Sequence, residues 1–168
     1  DALKLNGVRV NVSAENKQRI ADAMGCLLLT PKLADLIWVQ RQVALVPSPQ
    51  PITATTRSMV EHSARVDAQL EKLGNPTGLT CTVGKLWVID ELLAQKPRAM
   101  NYGWHFEGSS FQGLTGEVCA SLIKDPKTKQ YSRLIQGRGT AHDMHHSDYS
   151  QICVLVARTC TVDGTERD

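Results

Sequence analysis

Two kinds of apolar spacing divide this chain near Pro97, and their order limits the folds open to it. Before that point apolar residues recur at three- and four-residue intervals, the spacing of one helix face. Ile20, Met24 and Leu27 form one stripe, Leu33, Leu36, Ile37 and Val43 a second, and Met59, Val60, Val66 and Leu70 a third. Beyond Pro97, strand-like runs over 99–106, 116–123, 131–136 and 150–162 are separated by Gly-, Ser- and Lys/Pro-containing turns. Alternating βαβ units would interleave the two patterns. Helices first and strands afterwards predict an α+β fold, with N-terminal helices packed on a mainly antiparallel C-terminal sheet.

Local punctuation sharpens this reading. Asn6-Gly7 lies between Leu3-Lys4-Leu5 and Val8-Arg9-Val10, and Asn-Gly accepts the positive φ angles of a type I′ hairpin turn. Ser13 is a helix N-cap, and Thr30 followed by Pro31 starts a second helix. Gly74 closes a third helix over 56–73. Thr82 is read as the cap of a short fourth helix through Leu86, Ile89, Leu92 and Leu93, with Lys85 at its start. Pro47-Ser48-Pro49-Gln50-Pro51 is an extended connector. A length of 168 residues suits one domain. Its expected division is a hairpin and helical layer over 1–97 and antiparallel strands over 98–162.

A net charge of +2, with the lysines far apart, gives no footprint for nucleic acid or an anionic membrane. Lys124-Asp125-Pro126-Lys127 reads as a solvated hairpin tip, and Gly137-Arg138-Gly139-Thr140 as a tight turn. The latter lacks the lysine and the helix start of a phosphate-binding loop. No apolar run approaches the roughly 20 residues of a membrane span. The cysteines Cys26, Cys81, Cys119, Cys153 and Cys160 show no C-x-x-C spacing, which argues against a zinc knuckle. Their odd count leaves at least one free thiol or an intermolecular bond, with one or two disulfides open. A start at Asp1 without methionine fits a processed, secreted protein or a trimmed chain. An extracytoplasmic location is the expectation.

The chemistry concentrates in 140–151, which holds His142, Asp143, His145, His146, Asp148, Tyr149, Ser150 and Gln151. Imidazoles and carboxylates move protons and bind metals near neutral pH. Upstream, period-two alternation in a 100–107 strand places Met100, Tyr102, Trp104 and Phe106 on a core face. Asn101, Gly103, His105 and Glu107 take the other. If the two stretches are neighbours, His105, His142 and Asp148 suit Zn²⁺ or another divalent transition metal with an open position. The same three suit a metal-free set, with one imidazole as base, one as acid and Asp148 orienting. His145 and His146 face opposite ways, so one of them at most joins such a site. Tyr149 flanks it, and Lys85 is a candidate for stabilising an oxyanion. Ser150 has no nucleophile elbow around it, and H-E-x-x-H is absent.

Tyr102-Gly103-Trp104-His105, together with His142 through Asp148-Tyr149-Ser150, resembles an uncharacterised bacterial family with a YGWH strand and an H…DYSHG segment. Residues 29–38 are similar to the helical part of that family. The chain departs from the pattern at Gln151, where the family segment has its second histidine. The resemblance implies that His105, His142, Asp148 and Tyr149 form one site, and implies no activity.

The expectation is therefore a small secreted hydrolase with a small-molecule or polymer substrate of cell-wall or polysaccharide type. The alternative is a non-catalytic carbohydrate- or protein-binding module using Tyr102, Trp104 and Trp87. A third reading is a domain whose stability depends on a bound metal.

Overall fold

The computed structural model describes residues 2–51, 55–95, 98–107, 123–124 and 131–167. The chain opens with a hairpin of β1 (Lys4–Leu5) and β2 (Val8–Arg9). Asn6 at φ 50° and Gly7 at φ 80° make its turn, as the Asn-Gly pair predicts. Next comes α1 (Ala14–Ala23), where the Ser13 side chain accepts from the Asn16 N–H. A short β3 (Cys26–Leu27) precedes α2 (Pro31–Gln40), capped by Thr30 with Pro31 in its first turn. The long α3 (Thr56–Lys72) carries a reciprocal capping box between Thr55 and Ser58. Gly74, at φ 78°, ends it.

From β4 onward the described elements are strands apart from one 3₁₀ turn. β4 (Lys85–Val88), β5 (Met100–Phe106), β6 (Ile123–Lys124) and β7 (Tyr131–Gly139) form one four-stranded sheet in the order β4-β5-β7-β6. Every pairing in it is antiparallel. β8 (Val156–Ala157) pairs with β3, while β9 (Cys160–Val162) and β10 (Thr165–Arg167) form a terminal hairpin. The α+β reading holds. Residue 123 apart, the expected 116–123 strand lies outside the described residues, as do Cys119 and the hairpin tip beyond Lys124.

Several local expectations are corrected. The 85–88 stretch is a strand rather than a helix, followed by a 3₁₀ turn at Glu91–Gln95. Gly137 to Gly139 lie inside β7 instead of forming a turn. The 150–162 run breaks into bridges and two short strands. On α2 the buried positions are Pro31, Ala34 and Trp38, while Leu33 and Leu36 are exposed. On α3 they are Ser58, His62, Ser63 and Val66, a stripe more polar than the predicted one.

The main core joins Leu29, Ala34 and Trp38 to Leu86, Val88, Met100, Tyr102, Leu134 and Ile152. The N-terminal hairpin is stitched onto it by backbone bonds from Leu3 N to Cys153 O and from Cys153 N to Val10 O. Arg9 is fully buried against α3, where its guanidinium donates to Ser63 O at 3.1 Å and to Asp67 Oδ1 at 2.8 Å. Gln50, in the proline-rich connector, is buried and donates its backbone N–H to the Tyr149 hydroxyl. Lys17 of α1 is also buried and donates to Trp87 O at 3.2 Å. Burial pushes its ammonium down to about 8, opposed by Cys153.

The feature that positions the site is a break in β5. Gly103 at φ 102° and Trp104 at φ 62° occupy left-handed backbone, and the register against β7 shifts between Asn101 and Gly103. A bulky residue there is uncommon and requires support from its surroundings. The break exchanges the faces of the next two side chains. His105 joins Tyr102 on the α2 side, and both bond Asp35 Oδ1, at 2.9 and 2.7 Å. Trp104 turns away from them, to His62 and Tyr149.

Candidate functional site

The 140–151 segment folds back on β4. Gln151 forms a parallel bridge with Lys85, and Asn11 donates its side-chain amide to Tyr149 O at 2.6 Å. Asp143 Oδ1 accepts the backbone N–H groups of His145 and His146 at 2.8 and 2.9 Å, fixing the turn between them. His145 points outward to Glu15 at 3.0 Å, and His146 points inward. The two rings thus face opposite ways, and His146 is the one beside Asp148.

Asp148 is the centre of the arrangement. Its side chain is 6% exposed, with Lys85 Nζ at 3.4 Å and His146 Nε2 at 3.7 Å from Oδ2. Oδ1 accepts from both the backbone N–H and the hydroxyl of Ser150, at 2.7 and 2.6 Å. The Asp148 N–H donates to Gln151 Oε1 at 2.7 Å, and the Gln151 amide reaches Asn101 Oδ1 at 3.5 Å. Burial alone would raise this carboxyl; the Lys85 ammonium and the Ser150 bonds outweigh it and hold it below the usual carboxylate range. Asp148 is therefore ionised at neutral pH.

His142 lies over His146, with ring centroids 3.9 Å apart and planes 8° from parallel. Both rings meet Trp87 at near right angles. Partial burial, the facing His146 ring and Lys85 lower the His142 imidazole, with Asp148 and Asp143 opposing. It is neutral, and thus a proton acceptor, at pH 7.

Of the five residues singled out from sequence, Lys85, His142 and Asp148 come together with His146 and Ser150. His105 stands apart, its side chain fully buried and stacked on Trp38 at 5.6 Å. Burial lowers its imidazole, with Asp35 opposing. Arg41 lies over Trp38, 3.6 Å from the ring centroid, and is paired with Glu107. Tyr149 also turns away from the His142 stack, toward His62 and Trp104. The expected metal set of His105, His142 and Asp148 is not assembled, because the break in β5 faces His105 toward Asp35. Among the described residues, no three His, Cys, Asp or Glu side chains are grouped to hold a metal ion. Cys26, Cys81, Cys153 and Cys160 are free thiols, and burial raises Cys81 and Cys153 away from the reactive thiolate. Among the described residues, no helix is long and apolar enough to cross a membrane.

His62 and Asp35 are the titratable groups that sequence reasoning missed. A polar Ser58/His62/Ser63 face at helical spacing was the available signal for His62. Its Nε2–H donates to Val83 O at 2.8 Å, leaving Nδ1 buried without a partner among the described residues. Burial pushes the imidazole from 6.5 down to about 4. The Val83 carbonyl and Asp148 oppose this, while Arg9 and Arg65 reinforce it. Between these two pH values the unfolded chain binds the proton and the folded chain does not. His62's contribution to stability is complete above pH 6.5 and is lost as pH falls to about 4, by about 3 kcal/mol. Urea midpoints measured across this window are expected to fall steeply for the wild type and to flatten in His62→Gln. An equal slope in the variant would assign the loss elsewhere.

No family model, curated protein or solved structure matches this chain. The functional reading rests on the site itself.

Proposed function

We propose that the protein is a small hydrolase whose working groups are His142, His146, Asp148 and Lys85. The observation that carries this reading is the buried, ionised Asp148 carboxylate held between an ammonium and an imidazole, with a neutral imidazole stacked alongside. Pairs of titratable groups held in different protonation states are how acid and base roles are divided. His142 accepts a proton from water as the water oxygen bonds to the substrate carbonyl carbon. Lys85 stabilises the oxyanion that forms. His146, facing Asp148 Oδ2 at 3.7 Å, is the ring placed to pass a proton to the leaving group as its bond to carbon breaks, and solvent restores both rings.

The alternative of a carbohydrate- or protein-binding module has less support. Tyr102, Trp104 and Trp87 are 5%, 2% and 1% exposed, so they offer no open aromatic platform.

The test is His142→Gln, assayed on para-nitrophenyl acetate. We expect kcat/KM to fall by about 100-fold or more, with stability changed by under about 0.5 kcal/mol because the ring is partly exposed. Unchanged turnover would overturn the reading. A large loss of stability would make the histidine structural.

A further inference from the structure

A half-open pocket of about 140 Å³ lies beside the histidine loop, bordering the main core at Val88 and Met100. Its walls include Ala14, Leu28, Trp87, Ala99 and Met144, and among the described residues Gln18 and Arg98 supply its polar side chains. Ala14, Trp87 and Ala99 are nearly inaccessible to solvent and form a separate apolar cluster, with Met144 packed against it.

Three observations connect this cavity to the site. Trp87 is shared, since the indole that walls the cavity also meets the His142 and His146 rings edge-on. Met144 lines it from within the loop itself, between the Asp143 turn and His145. Arg98 donates to Thr140 O and Ala141 O at 3.4 and 3.2 Å, which places an exposed cation beside the residues leading into His142. The volume is enough for a benzene-sized group, since a cavity of about 150 Å³ admits benzene, and the open side gives such a group a way in. Methionine is the side chain best able to adjust to such an occupant.

We propose that this cavity is the specificity pocket of the hydrolase site, taking a benzene-sized apolar group of an anionic substrate whose negative charge meets Arg98. The assignment of substrate class rests on the hydrolase reading above, whereas occupancy of the pocket can be measured without turnover. A ring seated beside Leu28, Ile89 and Met144 is held near the His142 stack, and the charge at the mouth sets its orientation. The pocket selects a compact aryl acid or its ester over a sugar unit, whose hydroxyls would lose their water against Leu28, Trp87 and Met144.

The experiment is NMR of the methyl groups of Met144, Ala14 and Ala99 during titration with benzoate, with benzamide as the uncharged comparison. We expect saturable shifts on these methyls, and about threefold weaker binding for benzamide and for Arg98→Met, the scale of one exposed charge pair. Ala99→Leu fills the cavity and is expected to abolish the shifts; Ala14→Val serves the same purpose if the larger change prevents folding. Absence of saturable shifts in the wild type, or their persistence in both filled variants, would overturn the proposal. Saturable shifts without ester turnover would support the pocket and remove the catalytic reading. Turnover of nitrophenyl esters without shifts would do the reverse.

Discussion

Asp148→Ala is expected to destabilise the protein by about 3–5 kcal/mol, the usual result of leaving one member of a buried ion pair uncompensated. The carboxylate is 6% exposed and its partner Lys85 18% exposed, so water can replace little of what is removed. The same change strips the acceptor from the Ser150 N–H and hydroxyl, both in a residue with no accessible surface. Turnover should vanish with it, since the carboxylate that faces both His146 and Lys85 is gone. The measurement is urea unfolding of Asp148→Ala, Lys85→Met and the double variant. If the penalty is an orphaned ammonium, the double variant should recover a large part of it. A double variant as unstable as the sum of the singles would locate the loss in the Ser150 bonds instead.

Gly84→Ala is the second large effect. An added Cβ would stand 2.3 Å from Ser150 O, 3.2 Å from Ser150 C and 3.3 Å from Ile152 Cγ1. Two of these atoms are backbone and the third belongs to a core side chain. The 148–152 segment must therefore move away from β4, at about 3 kcal/mol, carrying Asp148 away from Lys85. Gly139→Ala is the matched comparison. Its added carbon would meet Gln136 Nε2 at 2.8 Å, the far end of a flexible side chain, and should change stability by under about 1 kcal/mol. Thermal unfolding of the two variants side by side checks the contrast. Similar midpoints would mean that the close approach at Gly84 relaxes at little expense.

The elements written in local chemistry were legible from sequence. Asn6-Gly7, Ser13, Thr30-Pro31 and Gly74 each act through their own backbone or the next turn, and each sits where its chemistry predicts. Lys85 to Val88 was misread because a run this short matches either period, and its pairing with Gly103 to Met100 decides the matter. The α2 stripe was misread for a related reason. Trp38 and Ala34 win the interior because β5 presents Tyr102 and His105 to that side, information absent from the helix itself. Within the site, His142, Asp148 and Lys85 were visible as chemistry crowded into one segment plus one cation. His105 was assigned to them by strict alternation along a strand, and alternation does not survive two consecutive left-handed residues. Asp35 carried no pattern to distinguish it from other polar residues on an amphipathic helix, and the polar Ser58/His62/Ser63 face that could have marked His62 looks like an ordinary solvated one.

Gly103 and Trp104 have a wider consequence. A single local twist decides which neighbour each side of β5 addresses, so the Asp35 carboxylate and the imidazole of His62 depend on the same few torsion angles. Straightening that stretch would send an imidazole and an indole to each other's quarters, taking His105 from Asp35 and Trp104 from His62 together. Groups with no direct contact thus share a common mechanical fate.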